Sequence, residues 1–308
     1  MKYRELGRTG LKVSEIGIGC EGFVDHEGKY TQALFDCAAA AGVNCFDLYS
    51  PSPEVRSFAG EALRGRRDKF VIQAHLCTTW KDGQYERTRD IVEVRAGFED
   101  LLARLGTDYI DVGMIHYADS LDDWNGVVDG PVMEYARGLK AAGRIKAIGM
   151  SSHNPETAMA AAKSGLVDVI MFSVNPCYDL QPAGEDCEQL WNGDNYEKPL
   201  VNMDPEREAL YEYCQSAGVA ITVMKAFGGG QLLDAKTSPF HAALPEYQCI
   251  QYALDKPGVL TVLPGVRDRE DLKRVLGFFE ASGEEKDYSI LGTFAPQDAE
   301  GICVYCNH

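Results

Sequence analysis

The sequence lacks the features that mark exported or membrane-embedded proteins. Its opening residues, MKYRELGRTG, contain no apolar core of a signal peptide. No stretch approaches the roughly 20 consecutive apolar residues that a transmembrane helix needs. We therefore expect a cytoplasmic protein with no membrane partner.

Positive charge is also scarce. The chain has 30 Lys and Arg residues against 47 Asp and Glu residues, a net charge of −17. Nucleic acids and anionic membranes both need a basic protein surface, so we do not expect either as a partner. A phosphorylated cofactor remains compatible with this charge, because it needs only a local pocket.

The remaining composition is that of an ordinary globular protein. Hydrophobic residues make up 45% and charged residues 25% of the 308 residues, a length that suits one large domain or two small ones. Most of the ten cysteines stand singly within apolar segments, which is typical of buried reduced thiols. We expect no disulfides in a reducing compartment.

Strand-like and helix-like segments alternate along most of the chain. Short apolar runs, each followed by a segment of helical spacing, recur eight times, which predicts parallel strands. Eight such units in about 250 residues favour a closed (β/α)8 TIM barrel. The predicted strands are residues 16–19, 43–47, 70–75, 109–115, 145–150, 167–174, 219–224 and 259–263.

An open nucleotide-binding sheet is the alternative. It is disfavoured because no G-x-G-x-x-G follows the first strand, where Gly17, Gly19 and Gly22 have the wrong spacing. Alternating runs at residues 2–6 and 12–16 predict an N-terminal β-hairpin that caps one end of the barrel. The barrel is expected to span residues 1–280, followed by a short irregular C-terminal tail at 281–308.

Three of the predicted strands end in side chains suited to acid–base chemistry. Asp47, His75 and His116 each follow an apolar run. Barrel enzymes keep their catalytic residues at the C-terminal ends of strands, so we expect the three to share a site. Two histidines and a carboxylate also suit iron or zinc, and a metal site is the alternative.

The order of these features resembles the aldo-keto reductases over about residues 2–280. ELGRTGLKVSEIGIGC resembles their opening hairpin and first strand, GRIKAIGMSSHN their fifth strand, and VLPGVRDREDLKRVL their last strand and helix. The resemblance implies an oxidoreductase that interconverts a small carbonyl and an alcohol. It also implies NADPH or NADH bound in extended form across the C-terminal face of the barrel.

The family's catalytic set is Asp, Tyr, Lys and His, and only half of it matches. Asp47 and His116 occupy the Asp and His positions. Gly60 keeps the family's spacing and puts Ser52 at the position of the Tyr, which is the proton donor. His75 occupies the Lys position. We therefore expect an atypical Asp/His/His set.

The missing proton donor leaves several functions open. Histidine suits both acid and base roles, so we hypothesise that His75 or His116, held by Asp47, handles the proton. Tyr49, two residues after Asp47, could instead supply a phenol. The alternatives are a non-redox lyase or epimerase acting next to a carbonyl, and a cofactor-sensing protein with little activity.

The resemblance also implies a series of cofactor-binding residues. They would hold, in turn, the nicotinamide carboxamide, the pyrophosphate and the adenosine end: Ser151, Ser152 and Ser173; Lys225, Gly228 and Gly229; Gly265 and Arg267. Asp271 stands where NADPH-preferring members have a basic residue, which favours NADH. Arg267 and Arg269 keep NADPH open.

The C-terminal tail ends in CVYCNH. Cys303 and Cys306 begin the C-x₂-C-x₂-C-x₃-C-P spacing of a 4Fe-4S cluster. The tail resembles a subgroup of the family that carries an iron–sulfur module, cut short here. This subgroup implies an anaerobic bacterium and, with the cluster present, an electron-transfer partner.

A long irregular insertion at residues 176–204 is expected to cover the pocket. It contains Tyr178, Trp191 and Tyr196, while Trp80 and Trp124 follow the third and fourth strands. Together these aromatic residues predict an apolar or ring-containing substrate.

Overall fold

The computed structural model confirms the predicted barrel. It describes residues 1–23, 27–180, 203–238, 240 and 242–293. The strands are β1 (Tyr3–Glu5), β2 (Lys12–Ser14), β3 (Ile18–Gly19), β4 (Cys45–Leu48), β5 (Val71–Leu76), β6 (Thr78–Lys81), β7 (Gln84–Arg87), β8 (Ile110–Ile115), β9 (Ile145–Ser152), β10 (Val169–Ser173), β11 (Ala220–Met224) and β12 (Val259–Val262).

Within the described ranges, eight of these strands form one parallel sheet. Their order is β3-β4-β5-β8-β9-β10-β11-β12. Parallel bridges from Ile16 to Val262 and from Gly19 to Gly265 join the first strand to the last. The sheet therefore closes into a barrel, and the open-sheet alternative is wrong.

Helices follow the barrel strands, and polar side chains begin several of them. Asp90, Ser120, Asn154 and Asp268 each accept a hydrogen bond from a backbone N–H of the first turn. The helices are α1 (Gly28–Ala40), α2 (Pro53–Leu63), α3 (Ile91–Leu105), α4 (Leu121–Asp129), α5 (Pro131–Ala141), α6 (Pro155–Lys163), α7 (Pro176–Asp179), α8 (Pro205–Ala217), α9 (Glu246–Leu254) and α10 (Arg269–Leu276). None of them is long and apolar enough to cross a membrane.

The predicted N-terminal hairpin is present and plugs the barrel at the end opposite the site. Strands β1 and β2 pair antiparallel, and Leu6 and Val13 pack with Val71 and Val112 inside the barrel. Arg8 fastens the hairpin by donating to the carbonyl of Val167 at 2.8 Å.

A second hairpin, between β5 and α3, was not predicted from the sequence. Strands β6 and β7 pair antiparallel around Asp82 and Gly83, whose φ angles are 50° and 81°. Two successive residues with positive φ define the tight turn whose twist matches that of the flanking strands. Trp80 lies directly opposite Tyr85, so both side chains project from the same face of the hairpin.

Alternation along the strands positions the site. In β5, Val71 faces the barrel interior while Ile72 packs outward beneath the helices, and in β8 Met114 and Ile115 divide in the same way. His75 and His116 continue the inward series of their strands. Both histidines therefore lie at the top of the barrel interior, above an apolar floor.

Candidate active site

Four side chains form a continuous hydrogen-bonded chain at the C-terminal ends of β4, β5 and β8. Asp47 Oδ1 lies 3.2 Å from His75 Nε2, and His75 Nδ1 lies 2.6 Å from His116 Nδ1. His116 Nε2 lies 2.6 Å from the hydroxyl of Tyr85. The structure thus brings together the three residues predicted from the strand ends and adds a phenol to them.

The carboxylate of Asp47 is fixed from below. Gln73 donates to Asp47 Oδ1 at 2.7 Å, and Thr222 donates to the carbonyl oxygen of the Gln73 side chain at 3.2 Å. Asp47 is only 2% exposed. A buried carboxylate needs hydrogen-bond donors around it, and Gln73 and His75 stand in that position.

The imidazole of His116 is held in its neutral form. Burial lowers the pKa of His116 well below its ordinary value, and the neighbouring His75 and Arg89 lower it further. A neutral imidazole offers one donor and one acceptor. His116 can therefore accept a proton on one ring nitrogen while donating one from the other.

Tyr85 enters the site from the β6–β7 hairpin, and sequence reasoning missed it. Its side chain is 37% exposed, whereas His75 and His116 are buried. The signal was the Asp-Gly pair flanked by alternating residues, TTWKDGQYER, which is typical of a two-residue hairpin. The pairing that aims Tyr85 at His116 depends on how the hairpin docks, which local pattern does not encode.

Two arginines dock the hairpin onto the end of β8. Arg89 donates to the carbonyls of His116 at 2.8 Å and of Tyr117 at 2.9 Å, and Arg87 donates to the carbonyl of Tyr117 at 2.8 Å. Both guanidinium groups also pair with Asp123 in α4. This clamp fixes the backbone that carries His116 relative to the strand that carries Tyr85.

Tyr49, the predicted substitute for the family tyrosine, and Ser52, which occupies the tyrosine position, lie beside the chain. Tyr49 packs with its ring centroid 6.2 Å from that of His116, and its hydroxyl lies 3.5 Å from Glu21. Ser52 caps α2, where its hydroxyl accepts from Val55 N and donates to Glu54. Ser52 therefore has a structural role, and Tyr49 remains a prediction.

The metal alternative does not fit this geometry. The facing nitrogens of His75 and His116 are 2.6 Å apart, which is hydrogen-bond distance and leaves no room for an ion between them. Among the described residues no group of three or more His, Cys, Asp or Glu side chains could hold a metal ion.

Comparison with known proteins decides the family. The family model for the aldo/keto reductase family matches residues 15–248. The chain belongs to the aldo/keto reductase family. It is 27% identical over 291 residues to the uncharacterized oxidoreductase YqkF of Bacillus subtilis, covering 89% of each chain, and 23% identical to the aldo-keto reductase YhdN of the same organism, covering 94% and 93%.

Other relatives agree with this membership. The chain is 23% identical to pyridoxal 4-dehydrogenase of Microbacterium luteolum, with 94% of this chain and 96% of that protein covered. Among solved structures, the holo form of aldo-keto reductase AKR11C1 from Bacillus halodurans matches with a TM-score of 0.74 at 23% identity, covering 96% and 97%. At this identity the structural likeness supports the barrel fold alone.

Membership in an oxidoreductase family directs attention to the residues predicted to hold a nicotinamide. Ser151 Oγ accepts from the N–H of Tyr117 at 2.8 Å, and Ser152 Oγ donates to Asp119 at 3.0 Å. Ser173 differs: its hydroxyl is fully buried and has no hydrogen-bond partner within the part of the chain that the structure describes. Buried hydroxyls are normally paired, so Ser173 fits a polar ligand group such as a carboxamide.

The glycine turn after β11 was predicted to hold a pyrophosphate. Gly228, Gly229 and Gly230 have φ angles of 56°, 67° and 92°, and the N–H groups of Gly228 and Gly230 donate to the carbonyls of Lys225 and Phe227 within the turn. The pyrophosphate role therefore stays a prediction. Lys225, which precedes the turn, also has a positive φ of 58°. Strain at a non-glycine residue of this kind is common at functional sites.

At the end of the barrel predicted to bind adenosine, the carboxylate of Asp271 is paired with arginines. Asp271, predicted to repel a 2′-phosphate, accepts from Arg267 Nε at 3.1 Å and also pairs with Arg274. Arg267 keeps 73% of its side chain exposed. Two arginines therefore offset the charge of Asp271, and the geometry leaves the choice between NADH and NADPH open.

The predicted aromatic residues divide between the mouth and the core. Trp80 is half-buried on the face of the hairpin that carries Tyr85. Trp124 was expected near the mouth because it follows the fourth strand. It lies in α4 and is buried in the core between the barrel and the helices, so that expectation is wrong. Tyr178, in α7, is also buried. Trp191 and Tyr196 lie outside the described residues, as do Cys303 and Cys306.

Proposed function

We propose that this aldo/keto reductase interconverts a small carbonyl and an alcohol with NADPH or NADH, using Asp47, His75 and His116 for proton transfer. The observation that carries the proposal is the unbroken hydrogen-bonded chain at three strand ends. His116, a member of this chain, is followed by Tyr117. The N–H of Tyr117 donates to Ser151, a residue predicted to contact the carboxamide. The acid–base chain and the expected nicotinamide site therefore share one stretch of backbone.

When bound, the nicotinamide supplies the hydride, that is, the hydrogen and the two electrons that reduce a carbonyl carbon. The protein must then bind the substrate, exclude competing water and deliver a proton to the carbonyl oxygen. Asp47 anchors the chain by accepting from His75, in the position where the family has a lysine. His116 accepts the proton from His75 and passes it towards the mouth.

The alternative is non-redox proton chemistry. Its supporting observation is the lowered pKa of His116, which leaves a neutral imidazole able to abstract a proton next to a carbonyl. A lyase or epimerase built on this barrel would need no hydride. Substrate turnover that leaves the nicotinamide absorbance unchanged would favour it.

The direct test is titration of the purified protein with NADH and with NADPH, followed by a panel of aldehydes and ketones. We expect micromolar binding of one coenzyme and carbonyl-dependent loss of its absorbance at 340 nm. In His75→Ala, coenzyme binding should persist while carbonyl reduction falls. A folded protein that binds neither coenzyme would contradict the proposal.

The iron–sulfur module stays a separate proposal. It is supported only by the spacing of Cys303 and Cys306, since these residues lie outside the described ranges, and a longer chain would have to supply the further thiolates. Iron and acid-labile sulfide determined on protein purified without oxygen would test it. An absorbance band near 400 nm is expected if the cluster forms, and with it an electron-transfer partner becomes relevant.

A further inference from the structure

We infer that Tyr85 is the catalytic residue that hands the proton to the substrate oxygen, and that the β6–β7 hairpin replaces the loop from which the family takes its tyrosine. The inference rests on the proposed function. It assigns the missing proton donor to a segment that the resemblance does not include in the catalytic set.

Neither histidine of the chain has a ring nitrogen directed at the mouth. His75 uses Nε2 towards Asp47 and Nδ1 towards His116. His116 uses Nδ1 towards His75 and Nε2 towards the hydroxyl of Tyr85. A proton leaving the chain at this end must therefore pass through the phenol.

Tyr85 is far more exposed to solvent than the rest of the chain. Asp47, His75 and His116 are 2%, 4% and 9% exposed, whereas Tyr85 is 37% exposed. Tyr85 thus has one side in the buried chain and another at the mouth, where a substrate oxygen can approach. Trp80, its cross-strand partner, offers an apolar surface on the same face of the hairpin, which suits a ring-containing carbonyl compound.

The phenol of Tyr85 has the acidity that a proton donor to a carbonyl oxygen needs. A phenol is a far stronger acid than the serine at the family's tyrosine position, and it can stabilise a developing alkoxide by donating a hydrogen bond. Burial raises the pKa of Tyr85, while Arg87 and Arg89 oppose the rise. Tyr85 therefore remains protonated near neutral pH and can donate this proton.

The proton balance closes along the chain. In the delivering state His75 donates Nε2–H to Asp47 and Nδ1–H to His116, and His116 donates Nε2–H to Tyr85. Hydride addition moves the π electrons of the C=O bond to oxygen, which takes the Tyr85 proton. The phenolate recovers a proton from His116, and His116 recovers one from His75. Once the alcohol has left, a proton from solvent at the mouth enters through Tyr85 and the protons shift back along the chain, which restores the delivering state. The coenzyme loses two electrons and the carbonyl gains them.

Tyr49 provides a matched control. Its ring lies 6.0 Å from that of Tyr85 at the same mouth, but its hydroxyl is directed to Glu21. Burial and the nearby Glu21 carboxylate raise the pKa of Tyr49. Tyr49→Phe therefore removes a phenol hydroxyl close to Tyr85 without breaking the chain to His116.

The test compares Tyr85→Phe with Tyr49→Phe, using benzaldehyde and 4-nitrobenzaldehyde as probes and whichever coenzyme binds. Tyr85→Phe should lower kcat/KM for benzaldehyde by about 10²–10³-fold. The loss should be smaller for 4-nitrobenzaldehyde, because the nitro group stabilises the developing alkoxide. Tyr49→Phe should lower both much less and in equal proportion, and coenzyme binding should be unchanged in both variants.

A second readout does not depend on turnover. With ¹⁵N-labelled histidine, Tyr85→Phe should shift the Nε2 resonance of His116, which loses its phenol partner, while Tyr49→Phe should leave it unchanged. Equal loss for the two aldehydes in Tyr85→Phe, or full activity with either, would overturn the donor role. Failure of the wild type to reduce both aldehydes would instead overturn the proposed function, so the two failures are distinguishable.

Discussion

Asp47 and Asp179 are both buried carboxylates, but their surroundings contrast. Asp179 is fully buried and accepts from Arg207 Nε at 2.8 Å, from Tyr211 at 2.6 Å and from Tyr252 at 2.9 Å. Asp47 accepts from Gln73 and His75 and is the inner end of the chain to the mouth. Both sites combine a carboxylate, at least one nitrogen-containing side chain and at least one phenol.

The difference lies in which partners can release a proton. Arg207 stays charged at every accessible pH, and burial raises the pKa values of Tyr211 and Tyr252 well above the ordinary phenol value. The Asp179 network therefore holds fixed charges and joins α7, α8 and α9. In the Asp47 chain histidines replace the arginine, and the terminal phenol reaches the mouth, so protons can move.

The largest expected effect is on activity. His75→Ala interrupts the chain between Asp47 and His116 and should lower kcat for carbonyl reduction by about 10²–10⁴-fold. Tyr252→Phe, which removes a phenol from the other network, should leave kcat unchanged. Steady-state kinetics with the coenzyme in excess would compare them, and equal losses would remove the distinction between the two networks.

The second largest effect is on stability, where we expect the variant of the Asp179 network to lose more than the variant of the Asp47 chain. Asp179→Ala leaves Arg207 buried and unpaired, and we expect a loss of about 3–5 kcal/mol in the free energy of unfolding. Asp47→Asn should lose less, about 1–2 kcal/mol, because the asparagine side chain keeps an oxygen that can accept from Gln73 or His75. Urea denaturation monitored by fluorescence would measure both, and a larger loss in Asp47→Asn would contradict the assignment.

The pH dependence of stability gives a third contrast. Since the folded state lowers the pKa of His116, the unfolded chain binds a proton below about pH 6.5 that the folded chain does not. Stability should fall by about 1.4 kcal/mol per pH unit as the pH drops below that value, and this term should be absent above about pH 7.

His116→Gln should flatten the acid side of the curve of stability against pH, which urea denaturation between pH 5 and 8 would detect. An acid limb that persists in His116→Gln would show that another group causes it.

The buried phenols affect stability at alkaline pH. Because the folded state raises the pKa values of Tyr211 and Tyr252, stability should also fall above about pH 10.

The smallest effect concerns Ser173, whose backbone carbonyl accepts from Arg207 while its own hydroxyl is unpaired within the described residues. Ser173→Ala removes a buried polar group without a partner, so the free protein should be as stable as the wild type or slightly more so. If the hydroxyl binds the carboxamide, coenzyme affinity should drop about 5–10-fold, equivalent to about 1 kcal/mol. Calorimetric titration and thermal unfolding of the coenzyme-free protein would test both signs, and unchanged affinity would exclude this contact.

The barrel and the strand-end residues of the site could be predicted from the sequence because both follow from local hydrophobic patterns. Apolar runs ending at Asp47, His75 and His116 locate the strand ends, and alternation then directs the side chains inward. Tyr85 was missed because its role depends on how Arg87 and Arg89 dock the hairpin onto the end of β8. The Asp-Gly turn could have identified the hairpin, but not its target.

The Asp179 network was not predicted for a different reason. A carboxylate in the segment after β10 looks like a solvated residue of an insertion, and only the packed arrangement of α7, α8 and α9 buries it with Arg207. Trp124 was placed on the wrong side for a similar reason, since α4 was not anticipated. Burial of single side chains depends on tertiary packing that periodicity alone does not specify.

The central claim is that this barrel transfers a hydride while the Asp47–His75–His116–Tyr85 chain supplies the proton. The most direct test uses benzaldehyde with coenzyme carrying deuterium at C4 of the dihydronicotinamide ring. We predict benzyl alcohol with deuterium on the carbinol carbon and, with C4 deuterated on both faces, a primary isotope effect on single turnover. Conversion of a carbonyl substrate with no deuterium transfer, accompanied by solvent exchange next to the carbonyl, would contradict the account and favour the lyase or epimerase.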